Sequence, residues 1–458
     1  MRRHPGSRLA ACFAIVVLCA TAAAAQVPTI IAPSNIILPN FNGQQPGVTG
    51  SLEVGAMVAR GDDASATWYN PAGLSRIESS SMTGSAGAVQ WLWVSPNAFP
   101  NKGYSANHLP VQLGVAWKEP FDYLGWTMAF NFSSSNSWQH DLSSELQVGT
   151  AQAPERFAYA ASSKYTRYVA SIGGGYTPDQ KLRFGGSLDV ELTRMNQAQS
   201  VNDRILGTPR ATSLLVASYS NAAFTHLRAT AGMQYDFSPK ITVGGTVKTP
   251  GIALSNGGSA GMDATLYKGG TTTNLSYYDG SPTMKYKLPF EFAAGVAYTV
   301  PRMTVEADVR VIQGGGIYDF FTPNRTVTGI VDNGGTSTPQ AVETQFRTYQ
   351  VDQRSVVDIR VGGRFLLSEA GKLTLHGGFA TNNSPVGDDD EVFQKANLLR
   401  FTFGMSGQKG RFFFAGGVDY QAGTTPLYDV YTAQNGQVIM TTVNVDGFSL
   451  VYSFGLRF

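Results

Sequence analysis

Arg302, Thr304, Glu306, Asp308 and Arg310 stand at every second residue, with Met303, Val305, Ala307, Val309 and Val311 between them. Charges of both signs in such a row have two chemical uses. A cation in the row can hold a carboxylate through charge-assisted bonds. Alternatively, the opposite signs brace neighbouring elements as a ladder of ion pairs. Arg183, Asp189, Glu191, Arg228, Lys248, Glu291, Asp358, Arg360, Arg364 and Asp419 recur in the same setting. Arg228, Arg310 and Arg360 are the candidates for gripping a carboxylate, while the mixed signs of the whole set fit the ladder better.

Other chemistry finds less support. Cys12 and Cys19 both lie in the first 25 residues, ahead of the rest of the chain, so thiol and cysteine-metal chemistry are not expected of the exported protein. His4, His108, His140, His226 and His376 are too scattered to outline a metal site. His226 and His376 fall on the charged side of their segments, which allows a Ser-His pair in form, but no spacing selects a serine, and no enzyme is expected. Asp388, Asp389, Asp390 and Glu391 lack the ligand spacing of a calcium loop and read as a solvated acidic loop; calcium or a divalent bridge to lipopolysaccharide is the alternative. A formal net charge of +2 gives no reason to expect a nucleic-acid partner.

The element that positions residues two apart is a strand. Leu182, Phe184, Leu188, Val190 and Leu192 oppose Arg183, Ser187, Asp189 and Glu191; Val357, Ile359, Val361 and Phe365 oppose Asp358, Arg360 and Arg364. About fourteen such strands are expected. Their connections alternate in length: short ones fall near 119–123, 177–179, 238–239, 300–301, 368–371 and 407–410, and long ones at 95–108, 136–163, 199–218, 255–282, 320–343, 383–395 and 424–442. Alternation alone suits a soluble sandwich too. The short-long asymmetry and the low charged fraction of 14% favour an all-β, transmembrane antiparallel β-barrel, residues 81–458, with short periplasmic turns and long outer loops. In hydrocarbon each backbone amide needs an internal partner, so the sheet must close. Phe448, Leu450, Tyr452, Phe454, Leu456 and Phe458 share one face of the last strand, and a terminal aromatic there is expected to engage the barrel-assembly machinery.

Ahead of the barrel, Arg2, Arg3 and Arg8 precede an apolar run and the small residues 22–25, the order of a cleaved export signal over residues 1–25. A retained anchor helix is the alternative. Residues 26–50, with Pro28, Pro33, Pro39 and Pro46, read as an extended arm. Residues 51–80 are rich in small and turn-forming residues and include Asp63-Ala64-Ser65 and Asn70-Pro71-Ala72. The expected location is the Gram-negative outer membrane, in contact with lipid and lipopolysaccharide, and the expected state is a monomer.

The run from Asp63 and Ser65 to Asn70, Pro71 and Ala72, together with Ser384-Pro385-Val386 about 310 residues later, resembles the FadL/TodX family of outer-membrane transport proteins. The resemblance spans residues 52–458 and implies a fourteen-stranded barrel whose lumen is closed by an N-terminal hatch. It further implies passive uptake of hydrophobic compounds, long-chain fatty acids or aromatic hydrocarbons, by loop capture, lumenal binding and sideways release, without ATP or any cofactor. Asn70, Pro71 and Ala72 would then belong to the hatch, in a gating or a purely structural role. Leu142, Leu146, Val148, Phe157 and Tyr159 are candidates for a greasy outer-loop landing site, or for packing of the loop itself. Residues 26–50 depart from the family's shorter N-terminus. A diffusion porin for small polar solutes and a non-transporting adhesion barrel are the competing functions.

Overall fold

The computed structural model describes residues 40–41, 45–86, 89–96, 103–108, 112–120, 125–150, 153–205, 212–268, 270–324, 328–332, 337–341, 348–369, 372–390, 392–427 and 441–458. The expected export signal and most of the expected arm lie outside the described residues.

Period two carries through to packing. Along Met303–Ile312 exposure and burial alternate at every residue. Met303, Val305, Val309 and Val311 face outward, and Thr304, Glu306, Asp308 and Arg310 face inward. Each strand pairs antiparallel with its neighbours, and Ser81–Ala86 pairs on one side with Gln112–Lys118 and on the other with the last strand, Ser81 opposite Arg457. The result is a closed barrel of fourteen strands. From Trp126 onward its wall follows chain order through Trp126–Thr150, Ala153–Tyr176, Leu182–Ile205, Thr212–Ser238, Ile241–Lys248, Glu291–Val300, Met303–Ile312, Val356–Ser368, Leu373–Asn382, Asn397–Lys409, Phe412–Leu427 and Thr441–Arg457. Its outer face is a belt of exposed apolar side chains, including Phe292, Val309, Ile359, Phe403, Phe414 and Phe454. Such a belt is far larger than the apolar patches of water-soluble proteins and matches a hydrocarbon surround.

Tight turns join the strands where expected, as between Val300 and Met303 and between Lys409 and Phe412. The expected long loops differ. Residues 136–163 continue as a paired hairpin out to Thr150 opposite Ala153, and 199–218 run on to Ile205 opposite Thr212. Ile252–Lys268 pairs with both Thr212–Ser238 and Thr271–Asp279. Beyond the bilayer an outward side chain has no need to be apolar, so alternation fades while the backbone ladder continues.

Residues 45–77 run in short turns, Gly50–Glu53, Ala66–Tyr69 and Pro71–Arg76, bonded to inward-facing positions of the wall, and Leu52, Val54, Ala64, Ala66 and Leu74 are fully buried. On the side of the long connections, Thr283–Met284, Gly316–Thr322 and Tyr349–Gln353 form a small separate sheet.

Candidate functional site

The residues 63–72 motif works through backbone bonds. One Asp63 carboxylate oxygen accepts from the Ser65 N–H at 2.7 Å and also from the Ser65 hydroxyl; the other accepts from the Val48 N–H at 3.3 Å. This ties the turn around Val48 to the turn Ala66–Tyr69. Burial raises the Asp63 carboxyl above its ordinary value, against the Ser65 bonds. Asn70 caps the next turn, its Oδ1 accepting from the Ala72 N–H at 3.1 Å, and Pro71 takes the first helical position. Asn70 Nδ2 donates to Val58 O at 2.7 Å and across to the wall at Met233 O, 3.0 Å. The fit is close: a Cβ on Gly232 would stand 1.9 Å from Asn70 Oδ1, and one on Gly185 2.2 Å from the Pro71 carbonyl carbon. The wall accepts this turn because those positions carry no side chain.

A second set of bonds fastens residues 52–60 to the wall. The Asp308 carboxylate accepts from the Met57 N–H at 3.1 Å, and Glu306 from the Ala59 N–H at 2.6 Å. Arg360 donates to Gly55 O at 3.0 Å, and Thr402 to Leu52 O at 2.7 Å. Arg60 bridges Glu53 and Glu306. Burial would raise the Glu53 carboxyl, yet Arg60 above all, helped by His376, more than offsets this and holds it at about 2.

The charged residues expected inside the barrel do face inward, and of the three carboxylate candidates Arg228 stands apart from Arg310 and Arg360. Arg228 contacts Glu191 at 3.2 Å and Glu291 at 2.9 Å, and donates to Pro289 O and Thr249 O. It is a brace. Arg310 pairs with Glu291. Arg310 and Arg360 nevertheless line one pocket together with Val58, Trp68, Tyr69, Lys248, Glu291 and Asp308. Two of its lining residues meet in a contact that the sequence does not announce: the Lys248 ammonium lies 3.6 Å from the Trp68 ring centroid. No local spacing links residues 68 and 248; only the closed sheet does.

Ser406, His376 and Glu53 line up, with His376 Nδ1 2.6 Å from Glu53 and Nε2 2.7 Å from Ser406 Oγ. The strand ladder holds the backbone around Ser406, where a hydrolase would need free N–H groups for an oxyanion, and Glu53 is shared with Arg60. The trio reads as another fastening between the lumenal segment and the wall. His226 bonds the Tyr286 carbonyl at 2.9 Å. Near the long-connection mouth Phe224, Tyr286, Phe320 and Phe393 form an aromatic cluster with centroids 5.5–6.3 Å apart. Leu146 stands opposite Phe157 in the hairpin register, and Leu142, Val148 and Tyr159 lie on the same two strands, but the side chains of these outer candidates lie outside the described residues.

No protein-family model and no curated protein matches the sequence. Solved structures do. A FadL homologue of Pseudomonas aeruginosa superposes with a TM-score of 0.58 at 11% identity, over 92% of this chain and all of the other (100%). The Pseudomonas putida toluene transporter TodX gives 0.57 at 14% identity, over 92% and 99%. The chain has the FadL/TodX fold. The monoaromatic hydrocarbon channel CymD is similar as well, at 0.51 and 13% identity over 92% and 98%. These matches cover the FadL/TodX barrel from end to end, which accords with the resemblance carried by residues 63–72 and 384–386.

Proposed function

We propose that this protein lets hydrophobic compounds cross a Gram-negative outer membrane by passive diffusion, with long-chain fatty acids as the principal class. The observation that carries the reading is the lumenal cavity, which joins an apolar wall of Val58, Trp68 and Tyr69 to the cations Lys248, Arg310 and Arg360. An aliphatic acid needs both. An open water-filled pore offers a greasy solute nothing, since apolar hydration persists along it; a filled barrel with an apolar pocket removes that cost. In this reading residues 45–77 act as a hatch, solute is captured on the outer hairpins, and it leaves sideways into the bilayer when the hatch shifts. A hatch of residues 45–77 disfavours a diffusion porin.

A second reading, uptake of aromatic hydrocarbons, draws on the Phe224, Tyr286, Phe320 and Phe393 cluster and on similar barrels described as toluene transporters. Equilibrium binding to the purified full-length protein separates the two. Oleate binding well ahead of toluene supports the acid reading; the reverse order replaces it with the aromatic one.

A further inference from the structure

We infer that the outward face of the barrel carries a binding site for the phosphorylated headgroup of lipid A, the membrane anchor of lipopolysaccharide. Lys164 and Arg194 form it, where the apolar belt ends on the side of the long connections. The inference concerns the lipid-facing wall and is independent of which solute crosses the lumen.

The height of the belt is marked on the hairpin of Trp126–Thr150 and Ala153–Tyr176. Trp126 stacks on Tyr176 beside the short turns, with ring centroids 5.0 Å apart, and Phe132 stacks on Tyr168 at 5.9 Å, nearer the long connections. Aromatic girdles of this kind lie at the two boundaries between lipid and water. Between them Met128, Phe130 and Ile172 face outward on this hairpin, and Leu188 and Val190 on the next strand. Residues two apart share a face of a strand. Beyond Tyr168 the outward series therefore continues through Thr166 to Lys164, and beyond Val190 through Leu192 to Arg194. Arg194 is opposite Thr166 and Lys164 opposite Asn196, so the two cations are diagonal neighbours on adjacent strands. At about 3.4 Å per residue they stand roughly 7 and 14 Å along the strands past the Phe132–Tyr168 pair, at headgroup depth.

Both side chains are exposed, and among the described residues neither is in an ion pair. The lumenal cations differ, since Arg167 and Arg228 each hold Glu191. The Asp141 carboxylate stands one step further out, opposite Ser162, and is likewise in no ion pair among the described residues. On other strands the outward positions past the belt at Gln313, Asn397 and Asp446 are neutral or acidic. Lipid A sets two phosphates on a disaccharide above several acyl chains, so it needs an apolar wall and a cation at one fixed height. Phe132, Ile172, Leu188 and Val190 offer the wall. The Arg194 guanidinium can take a phosphate in bidentate form, and Lys164 adds a second charge-assisted bond. Asn196 and Asn221, opposite each other and exposed, offer amides to the sugar hydroxyls. Long connections mark the outer leaflet of an outer-membrane barrel, which is where this lipid resides.

Native mass spectrometry of the delipidated full-length protein tests the site with three lipids: bis-phosphorylated lipid A, the same lipid A with both phosphates removed, and phosphatidylglycerol. Wild type is expected to hold the phosphorylated lipid A well ahead of the other two. Lys164→Gln combined with Arg194→Gln is expected to lower that affinity on the order of tenfold or more, as expected for two cations at a charged lipid surface. Lys164→Arg should retain it. Lys409→Gln combined with Arg411→Gln, at exposed positions of a short turn, should leave it unchanged. The wild-type comparison of phosphorylated with dephosphorylated lipid A needs no variant, and equal binding of the two overturns the site. An affinity for lipid A unaltered by Lys164→Gln with Arg194→Gln also overturns it. Phosphatidylglycerol held as tightly as lipid A, and lost to the same degree in that variant, overturns the assignment to lipid A in favour of a general anionic-lipid site. Oleate uptake is carried by the lumen, so its presence or absence stands apart from each of these results.

Discussion

Asn70 shows how much one side chain carries. Its amide is donor to Val58 O and Met233 O and acceptor from Ala72 N–H, all in a fully buried place. Asn70→Ala leaves those groups unpaired, and thermal unfolding followed by circular dichroism should register a loss of about 1–3 kcal/mol. Gly232→Ala, which puts a methyl where Asn70 Oδ1 stands, should act in the same direction. Glu53 gives the lumenal segment a pH dependence. Its carboxyl lies at about 2 in the folded protein against an ordinary 4.5, so its contribution is complete above pH 4.5 and fades as pH falls toward 2. Bilayer conductance should stay low at pH 5 and rise as pH approaches 3, and Glu53→Gln should raise it already at neutral pH. At this scale the sequence was informative about side and poor about partner. Alternation put Arg228, Glu291 and Asp308 inside, and the Asn70-Pro71-Ala72 run marked the tight turn. That Asp308 would cap Met57, or Lys248 cover Trp68, depends on chain segments some 180 to 250 residues apart, which no local pattern encodes.

Among the elements, the strands within the bilayer were legible because lipid on one side and charge on the other impose a strict period, as along Met303–Ile312. The outer hairpins were not. Asn256, Gly257 and Gly258 look like a loop, yet they pair with Phe224, Ala223 and Ala222, because above the membrane the ladder needs no apolar face. The connection through Asp390 behaves as a fastened element: its carboxylate accepts from Val392 at 2.8 Å, Phe393 at 2.7 Å and Asp352 at 3.1 Å, and so seats Phe393 against Tyr286 and Phe320. Burial raises the Asp390 carboxyl to about 7, although those N–H groups pull it down. For an acid with a raised value, the stabilisation is complete below its ordinary 3.8 and is lost as pH rises through 7. Proteolysis of this connection should therefore be slower at pH 5 than at pH 8, and Asp390→Asn should abolish that difference.

For the whole molecule, two physical demands meet in one closed sheet. Lipid outside requires a belt such as Phe403, Phe414 and Phe454, and the absence of a sheet edge; a barrel this wide then leaves an interior that must be filled or left as a pore. Residues 45–77 are bonded to the inner side of its wall, and in the proposed reading they close it. Removing them should convert a poorly conducting protein into an open channel, read as a large steady current in planar bilayers; an unchanged current would place the barrier elsewhere. The overall plan was readable from turn spacing and alternation, whereas the solute is set by a cavity assembled from the lumenal segment and several strands. The most direct measurement is uptake into liposomes carrying the full-length protein, with oleate and sucrose followed side by side. Entry of oleate well above that into empty liposomes, with sucrose excluded, is the predicted result. Oleate entry no faster than into empty liposomes, or sucrose entering freely, would contradict a closed barrel that passes hydrophobic solutes.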